Sequence, residues 1–329
     1  MIVIIFVFLL TTLLTPAAIK LSNKFNIVDH PNHLLKTHQK PIPNLGGLVM
    51  FISMIIPLMV LQGQALYASE NFVFLVGAVI IIIGGLIDDR YALRPVTKLV
   101  FQAAAGISLF SYGFHTNFFE WSIMDGMLTL IWLLGVINAI NLIDIMDGLA
   151  AGVAAISSVF LCILLLAKGE FFFSSILLGV AAACLGFLLF NFNPARIYLG
   201  DAGSQLLGYL LACSALKWSI NENFDHRLFI PILILGIPLF ETIFVSILRL
   251  KAKRSPFKGS KDHFALRLVK LGYSVKFTVI LTYLFALVLG LLACLMLFYN
   301  TMALYIIGAS FVGALLIALR LSQIDMSAY

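Results

Sequence analysis

Eleven apolar stretches of roughly bilayer-spanning length restrict the fold of this chain more than any other feature of its sequence. A membrane-spanning helix needs about 20 apolar residues, and lipid offers no hydrogen-bond partners to an irregular backbone. Only 11% of the residues are charged, whereas soluble domains carry about a quarter. The sequence predicts an all-α, polytopic integral membrane protein of about eleven transmembrane helices, formed by residues 1–21, 45–61, 71–87, 97–111, 123–140, 148–166, 171–190, 204–218, 227–250, 276–297 and 301–320.

The distribution of basic residues predicts how these helices are oriented in the inner (plasma) membrane. With the N-terminus outside, 18 of the 21 Lys and Arg residues fall in cytoplasmic loops, as the positive-inside rule requires. The first stretch lacks a preceding basic segment and is followed by Lys20 and Lys24, so we expect a retained helix rather than a cleaved signal. Residues 1–329 then form one transmembrane domain with a cytoplasmic C-terminus and cytoplasmic loops near 22–44, 88–97, 141–147, 191–203 and 251–275.

Charge and cysteine usage exclude two other kinds of function. The net charge of +6 is accounted for by the cytoplasmic loops, so no nucleic-acid partner is expected. The four cysteines stand singly in four apolar stretches, and the chain has no CxxC pair. Neither a disulfide framework nor a zinc site is therefore indicated.

Five aspartates mark the cytoplasmic ends of predicted helices: Asp88, Asp89, Asp144, Asp147 and Asp201. Adjacent carboxylates repel one another unless a positive group neutralises them. Mg²⁺ held by clustered aspartates, with Lys and Arg nearby, is a common way for proteins to bind phosphate oxygens. A single aspartate at a helix end can also be a simple cap. Taken together, the three acidic turns predict phosphoryl transfer at the inner membrane surface.

Three further stretches carry residues that suggest binding. The first cytoplasmic loop, VDHPNHLLKTHQKPIPNLGG, is rich in Pro, His, Lys and Asn, as expected of a binding surface. The glycines of IYLGDAGS let backbone N–H groups approach an anion at a helix start. The basic loop 251–275 suits anionic lipid headgroups, with Asp262 and His263 as its chemical candidates. Glu241 lies inside the ninth predicted span, where a carboxylate is either functional or paired with a buried polar group.

The order of these motifs, from residue 1 to about 320, resembles that of the polyprenyl-phosphate N-acetylhexosamine-1-phosphate transferases, the superfamily that includes phospho-MurNAc-pentapeptide translocase. The resemblance implies that a lipid phosphate attacks the β-phosphate of a UDP-amino sugar and releases UMP. It implies Mg²⁺ as cofactor, with Mn²⁺ as a substitute, in a cytoplasmic cleft that opens toward the bilayer. The implied partners are the UDP-amino sugar, polyprenyl (undecaprenyl) phosphate and membrane lipid, with a homodimer as a further expectation.

The resemblance also implies roles for five residues around the phosphates. Asp88 is expected to contact or deprotonate the lipid phosphate, and Asp89 to support the site. Lys98, ten residues after Asp88, is expected to bind phosphate. Asp201 in LGDAGS matches the family's Mg²⁺-binding aspartate, and His263 in DHFALRL matches its histidine-rich loop, which completes the expected catalytic group.

A second set of matched positions is expected to bind the nucleotide. Contacts with the uridine would come from the stretch NLIDIMDG and from an aromatic side chain stacked on uracil, namely Asn141, Asp144, Asp147 and Tyr198. Further contacts with the nucleotide or diphosphate would come from the first cytoplasmic loop, namely Lys36, His38 and Lys40.

The chain departs from the family's pattern at three places. Ala265 and Leu266 stand where relatives have further histidines, Leu34 and Leu35 stand where they have arginines, and Glu241 replaces an aspartate. These departures bear on the sugar specificity and leave the magnesium and uridine features intact.

The loop pattern indicates UDP-GlcNAc as donor, ahead of UDP-GalNAc or a deoxyamino sugar, in the initiating step of a cell-surface polysaccharide or cell-wall glycan. Phospho-MurNAc-pentapeptide transfer is the alternative within the family.

A secondary transporter or lipid flippase would place its acids near the bilayer midplane in related halves, whereas these acids lie at one face. A CDP-alcohol phosphatidyltransferase would need an arginine after Asp147-Gly148, where this chain has Ala150 and Ala151.

Overall fold

The computed structural model describes residues 2–29, 40–64, 68–119, 122–220, 226–256 and 259–326, which fold into a helical bundle with one small β-ribbon. In the ribbon, β1 (Val28–Asp29) pairs antiparallel with β2 (Ile42–Pro43). The helices are α1 (Ile2–Phe25), α2 (Gly46–Gln62), α3 (Ser69–Tyr91), α4 (Pro95–Phe110), α5 (Ser122–Ile143), α6 (Leu149–Ala167), α7 (Phe171–Asn191), α8 (Gly200–Ser219), α9 (Phe229–Ile234), α10 (Gly236–Lys251), α11 (Phe264–Lys270), α12 (Val275–Phe298) and α13 (Ala303–Ser322).

The helices confirm a multi-pass, all-α membrane protein. Within the described ranges, seven helices are long and apolar enough to cross a bilayer, and an eighth span results if α9 and α10 are counted as one. Helices α2 and α4 are apolar but shorter. Each of the eleven predicted stretches contains a helix, while the number of spans and their orientation stay predictions.

Several helices extend into the loops predicted from the sequence. Helix α3 runs to Tyr91 and α5 to Ile143, whereas α8 begins at Gly200. As a result, most of the predicted phosphate-binding residues lie on helix ends rather than in flexible turns. A polar residue at the end of an apolar helix does not have to leave the helix, because water and headgroups at that level can solvate it.

Helix α8 is the centre of the bundle. It packs against α2, α3, α5 and α6, and its residues are buried along nearly the whole of its length. The close approach depends on glycine, since a Cβ at Gly47 would lie 2.2 Å from the backbone nitrogen of Gly203. Likewise, a Cβ at Gly85 would lie 2.3 Å from the Cα of Ala202. The first turn of α8 is therefore fixed by backbone contacts with α2 and α3.

The ninth predicted stretch, residues 227–250, is not one straight helix. Helices α9 and α10 are bent by 83° about Leu235. Pro238 lies in the first turn of α10, where its missing N–H is tolerated, although the same proline could not continue α9. The predicted cytoplasmic loop that follows α10 contains the short helix α11.

Candidate active site at one end of the bundle

The ends of α3, α5 and α7 meet the starts of α4, α6 and α8, and the predicted phosphate-binding residues gather there. The turn between α3 and α4 is short, because Ala92 adopts a left-handed conformation and Pro95 begins α4. Asp88, only 4% exposed, accepts a 2.7 Å hydrogen bond from the backbone N–H of Leu93. The turn thus brings Asp88 within reach of Lys98, one turn into the next helix.

Lys98 is the cation that joins two of the predicted acids. Its Nζ contacts Oδ2 of Asp88 and lies 3.1 Å from Oδ1 of Asp201. The amide of Asn141 donates to the same oxygen of Asp201 at 2.7 Å and to Oγ of Ser204 at 2.8 Å. Four residues that are far apart in the sequence therefore form one hydrogen-bonded group, and Ser204 completes it. The side chain of Asp201 remains 30% exposed, so a ligand can reach it.

Asp89 faces a different neighbour from Asp88. Its Oδ1 accepts hydrogen bonds from the amide of Asn44 at 2.9 Å and from the backbone N–H of Asp201 at 2.7 Å. Its Oδ2 accepts from the backbone N–H of Ala202 at 3.1 Å. Asp89 is thus bound to the first turn of α8.

Three of the four residues expected to bind uridine, Asp144, Asp147 and Tyr198, form a second acidic group beside the first, whereas Asn141 belongs to the first. Oδ2 of Asp147 accepts hydrogen bonds from the amide of Asn193 at 2.8 Å and from the backbone N–H of Ala195 at 3.0 Å. These bonds fix the segment that leads to Tyr198. The backbone of Tyr198 is held by Pro43 and Gly46 of the first loop. Asp147 therefore orders the loop that carries the predicted aromatic residue.

The charges that shift the pKa values of Tyr198 and Asp144 come from neighbouring aspartates. Burial, followed by the negative charges of Asp147, Asp29 and Asp144, raises the pKa of the Tyr198 hydroxyl. Burial, followed by the charges of Asp201, Asp147 and Asp29, raises the pKa of Asp144 to about 7. The two acidic groups are therefore close enough to influence each other. Asp29, on β1, was not among the predicted site residues.

His263 lies in a separate buried pair. Its Nδ1 is 2.7 Å from Oε1 of Glu241, which is fully buried, and the backbone N–H of Phe264 donates to the other oxygen at 3.2 Å. Of the two interpretations offered for Glu241, the structure shows a carboxylate paired with a buried polar partner. The pair attaches α11 to α10, and the catalytic role expected of His263 stays a prediction.

The first cytoplasmic loop is described only in part. Lys36 and His38 lie outside the described residues, and the side chain of Lys40 is exposed. The end of the loop does reach the site, because Asn44 contacts Asp89. The predicted nucleotide contacts of the three basic residues stay predictions.

Sequence reasoning missed a layer of buried and half-buried amides beneath the site. The amide of Gln102 donates to Gln205 at 3.0 Å, and the amide of Asn138 donates to Gln102 at 2.8 Å. These residues lie three or four positions from Lys98, Asp201 and Asn141, on the same helix faces. That spacing, with polar residues inside apolar stretches, is the signal that could have found them.

The donor set can be compared with what Mg²⁺ requires. Among the described residues, no three His, Cys, Asp or Glu side chains converge into a complete metal site. Mg²⁺ does not need one, because it is usually bound by one or two carboxylates, several waters and the substrate's phosphates. Asp88 and Asp201 already share one cation, the Lys98 ammonium. The arrangement therefore fits a metal bound jointly by Asp201 and a diphosphate.

Clustered acids that share a lysine, at one end of a membrane bundle, are the kind of arrangement that binds phosphate groups together with a metal ion. The chain belongs to glycosyl transferase family 4, whose sequence profile matches residues 71–219. This confirms the resemblance drawn from the motifs, and the matched range contains both acidic groups.

Three relatives illustrate the similarity. A probable undecaprenyl-phosphate N-acetylglucosaminyl 1-phosphate transferase of Bacillus subtilis (strain 168) is 34% identical over 89% of this chain and 84% of its own length. A decaprenyl-phosphate N-acetylglucosaminephosphotransferase of Mycobacterium leprae (strain TN) is 29% identical over 90% and 83%. An undecaprenyl-phosphate alpha-N-acetylglucosaminyl 1-phosphate transferase of Escherichia coli (strain K12) is 25% identical over 82% and 77%.

Proposed function

We propose that this protein transfers GlcNAc-1-phosphate from UDP-GlcNAc to a polyprenyl phosphate such as undecaprenyl phosphate and releases UMP. The observation that carries the proposal is the Asp88–Lys98–Asp201 group at one end of a membrane bundle. The names of the relatives support both the sugar and the lipid acceptor. The product would initiate a cell-surface polysaccharide or cell-wall glycan.

The basic and acidic residues around the phosphates would have different roles. Phosphoryl transfer depends mainly on positioning and on neutralising charge. Lys98, already between two carboxylates, can turn its ammonium toward an incoming phosphate. Asp201 would hold Mg²⁺, which when bound draws negative charge from the leaving UMP. Asp88, beside Lys98, is placed to meet the lipid phosphate.

The second acidic group would bind the nucleoside. Asp144, Asp147 and Asn141 would contact the nucleoside, because carboxylates are natural acceptors for the N–H of uracil and the ribose hydroxyls. The Tyr198 ring offers a stacking surface. The clustering of Lys and Arg in alternate loops supports a site on the cytoplasmic face of the plasma membrane.

The test is UMP release by the purified protein in detergent, with undecaprenyl phosphate and Mg²⁺. UDP-GlcNAc, UDP-GalNAc and UDP-MurNAc-pentapeptide are offered in parallel, and we expect UMP only with UDP-GlcNAc.

Asp201→Asn should reduce turnover at least 100-fold, because a neutral amide cannot replace the charge that holds the metal. The variant protein should stay monodisperse. Release of UMP without lipid or Mg²⁺, or near-normal turnover by Asp201→Asn, would contradict the proposal.

A further inference from the structure

Two adjacent carboxylates at the end of α3 have different partners. Consecutive residues of an α-helix point about 100° apart, so Asp88 and Asp89 turn toward different helices. Asp88 turns toward Lys98 on α4. Asp89 turns toward the start of α8. The pair that looks like a single acidic motif in the sequence is therefore divided between two helices.

Both oxygens of Asp89 are engaged by protein donors. Three N–H groups donate to them, at 2.7, 2.9 and 3.1 Å, from the Asp201 backbone, the Asn44 amide and the Ala202 backbone. Asp201 and Ala202 occupy the first turn of α8, where N–H groups lack partners within the helix. A carboxylate at this position also interacts favourably with the helix dipole. Asp89 thus performs the function of an N-cap, although it belongs to another helix.

The local geometry of α8 requires a cap from outside. Leu199, at the N-cap position, makes no side-chain capping hydrogen bond. Gly200 has φ +74°, and a Cβ there would lie 2.6 and 2.8 Å from the two oxygens of Asp89. The carboxylate therefore occupies the space that a side chain at position 200 would take. Asp201 follows immediately, so its orientation depends on this contact.

We propose that Asp89 is a positioning residue: it caps α8 and thereby aims the Asp201 carboxylate at Lys98 and the phosphates. It does not ligate the metal and does not exchange a proton with substrate. The proposal rests on the proposed function in one respect, namely the metal-binding role of Asp201. The capping itself is a property of the fold, and it can be measured without substrate or metal.

A charge exchange between Asp89 and Asn44 provides the test. Asp89→Asn puts an amide N–H where N–H groups already point, so the cap is weakened. The double variant Asn44→Asp/Asp89→Asn keeps one carboxylate beside the first turn of α8, at position 44 instead of 89. The amide at position 89 can then donate to that carboxylate while its oxygen accepts from the backbone N–H of Ala202, so one of the two bonds to α8 is regained. Asn44→Ala removes one of the three bonds and serves as a milder variant if Asp89→Asn does not fold. Glu70→Gln breaks the ion pair between Glu70 and Lys217 at the other ends of α3 and α8, so it is the matched control for losing a contact between these two helices away from the cap.

Three quantities are measured for each variant: hydrogen exchange of the first-turn amides of α8 in EDTA, Mn²⁺ binding in the presence of UDP-GlcNAc by electron paramagnetic resonance, and kcat and KM. We expect Asp89→Asn to speed exchange about tenfold, the usual effect of losing a cap, and to lower kcat more than it raises KM. The exchanged pair should restore both to within a few-fold of the wild type. Asn44→Ala should give smaller changes, and Glu70→Gln none.

The outcomes that would overturn the proposal differ from those that would overturn the proposed function. If Asp89 were a metal ligand, Asp89→Asn would lose Mn²⁺ as Asp201→Asn does, and the exchanged pair would not recover it. Unchanged hydrogen exchange at the start of α8 in both Asp89→Asn and Asn44→Ala would equally refute capping. If wild type and Asp201→Asn bound Mn²⁺ alike, the metal-binding role of Asp201 would be wrong. The hydrogen-exchange rates at the start of α8 would still show whether Asp89 caps that helix.

Discussion

Lys98 shows how a single residue lets two carboxylates face each other near a membrane. Its ammonium lies between Asp88 and Asp201, and it replaces the divalent cation that such a pair would otherwise require. The lysine belongs permanently to the site, whereas a metal would come and go with the phosphates.

Replacing Lys98 should make the fold depend on metal. Lys98→Gln leaves two carboxylates without their cation, so we expect the unfolding temperature in EDTA to fall by several degrees. Mg²⁺ should then raise that temperature more in the variant than in the wild type, although turnover is lost. Lys276→Gln, a lysine at the start of α12 and away from the site, is the control. Equal Mg²⁺-induced shifts in all three proteins would contradict the prediction.

Asp144 should make stability depend on pH. Burial and the charges of Asp201, Asp147 and Asp29 raise its pKa from 3.8 to about 7. The folded protein therefore retains a proton that the unfolded chain has released, and this contribution to stability is lost as pH rises from about 4 to 7. Asp144→Asn lacks the ionisable group.

Thermal unfolding in EDTA, at pH 5.5 and 8.5, measures this effect. Asp144→Asn should unfold at a higher temperature than the wild type at pH 8.5, and the difference should shrink at pH 5.5. Asp144→Asn should also bind the UDP-sugar more weakly, because it lacks the carboxylate that we propose contacts the nucleoside. A temperature difference that does not change with pH would refute the assignment.

Among the helices, α8 determines the geometry of the site because its first turn lies in backbone contact with two neighbours. Gly47 on α2 and Gly85 on α3 allow this approach. The side-chain amides of Gln102, Asn138 and Gln205 join α4, α5 and α8 one turn deeper. Backbone contact and amide bonding together leave little freedom to the acids above them.

A methyl group at position 47 should disturb the site from a distance. Gly47→Ala would place a carbon 2.2 Å from the Gly203 nitrogen, and a backbone atom cannot move aside as a side chain can. We expect at least a tenfold loss of turnover and a lower unfolding temperature. Gly135→Ala on α5, where nothing lies within 4 Å, is the matched control and should leave both unchanged. Equal behaviour of the two variants would show that the close contact is unimportant.

The sequence predicted the helices and the acids at their ends because long apolar stretches and polar residues that follow them are local signals. That Lys98 and Asn141 belong to the same site as Asp88 and Asp201 was expected only from the resemblance to the family. The sequence did not predict the direction in which Asp89 points. That direction depends on the rotation of α3 relative to α8, which tertiary packing alone determines. The bend between α9 and α10 was missed for a similar reason, since the stretch is apolar on both sides of Leu235.

For the whole molecule, the described acids of the site lie at one end of the bundle and the basic loops are expected at the same end. Cysteine labelling in intact cells tests this orientation. Ser111→Cys, after α4, should react with a membrane-impermeant thiol reagent added from outside. Lys276→Cys, at the start of α12, should react only after the membrane is permeabilised. The reverse pattern would invert the predicted topology, and the unsubstituted protein controls for its native cysteines, three of which are buried.

The polarity of α8 has a consequence for how the protein is made. Helix α8 does not reach the apolarity of the seven spans, so it would partition poorly into lipid by itself. Its partners α2, α3 and α5 precede it in the chain and are already synthesised when it emerges from the ribosome. The helix that carries Asp201 would therefore enter the membrane against protein rather than against lipid. Biogenesis and the assembly of the active site would then be the same event.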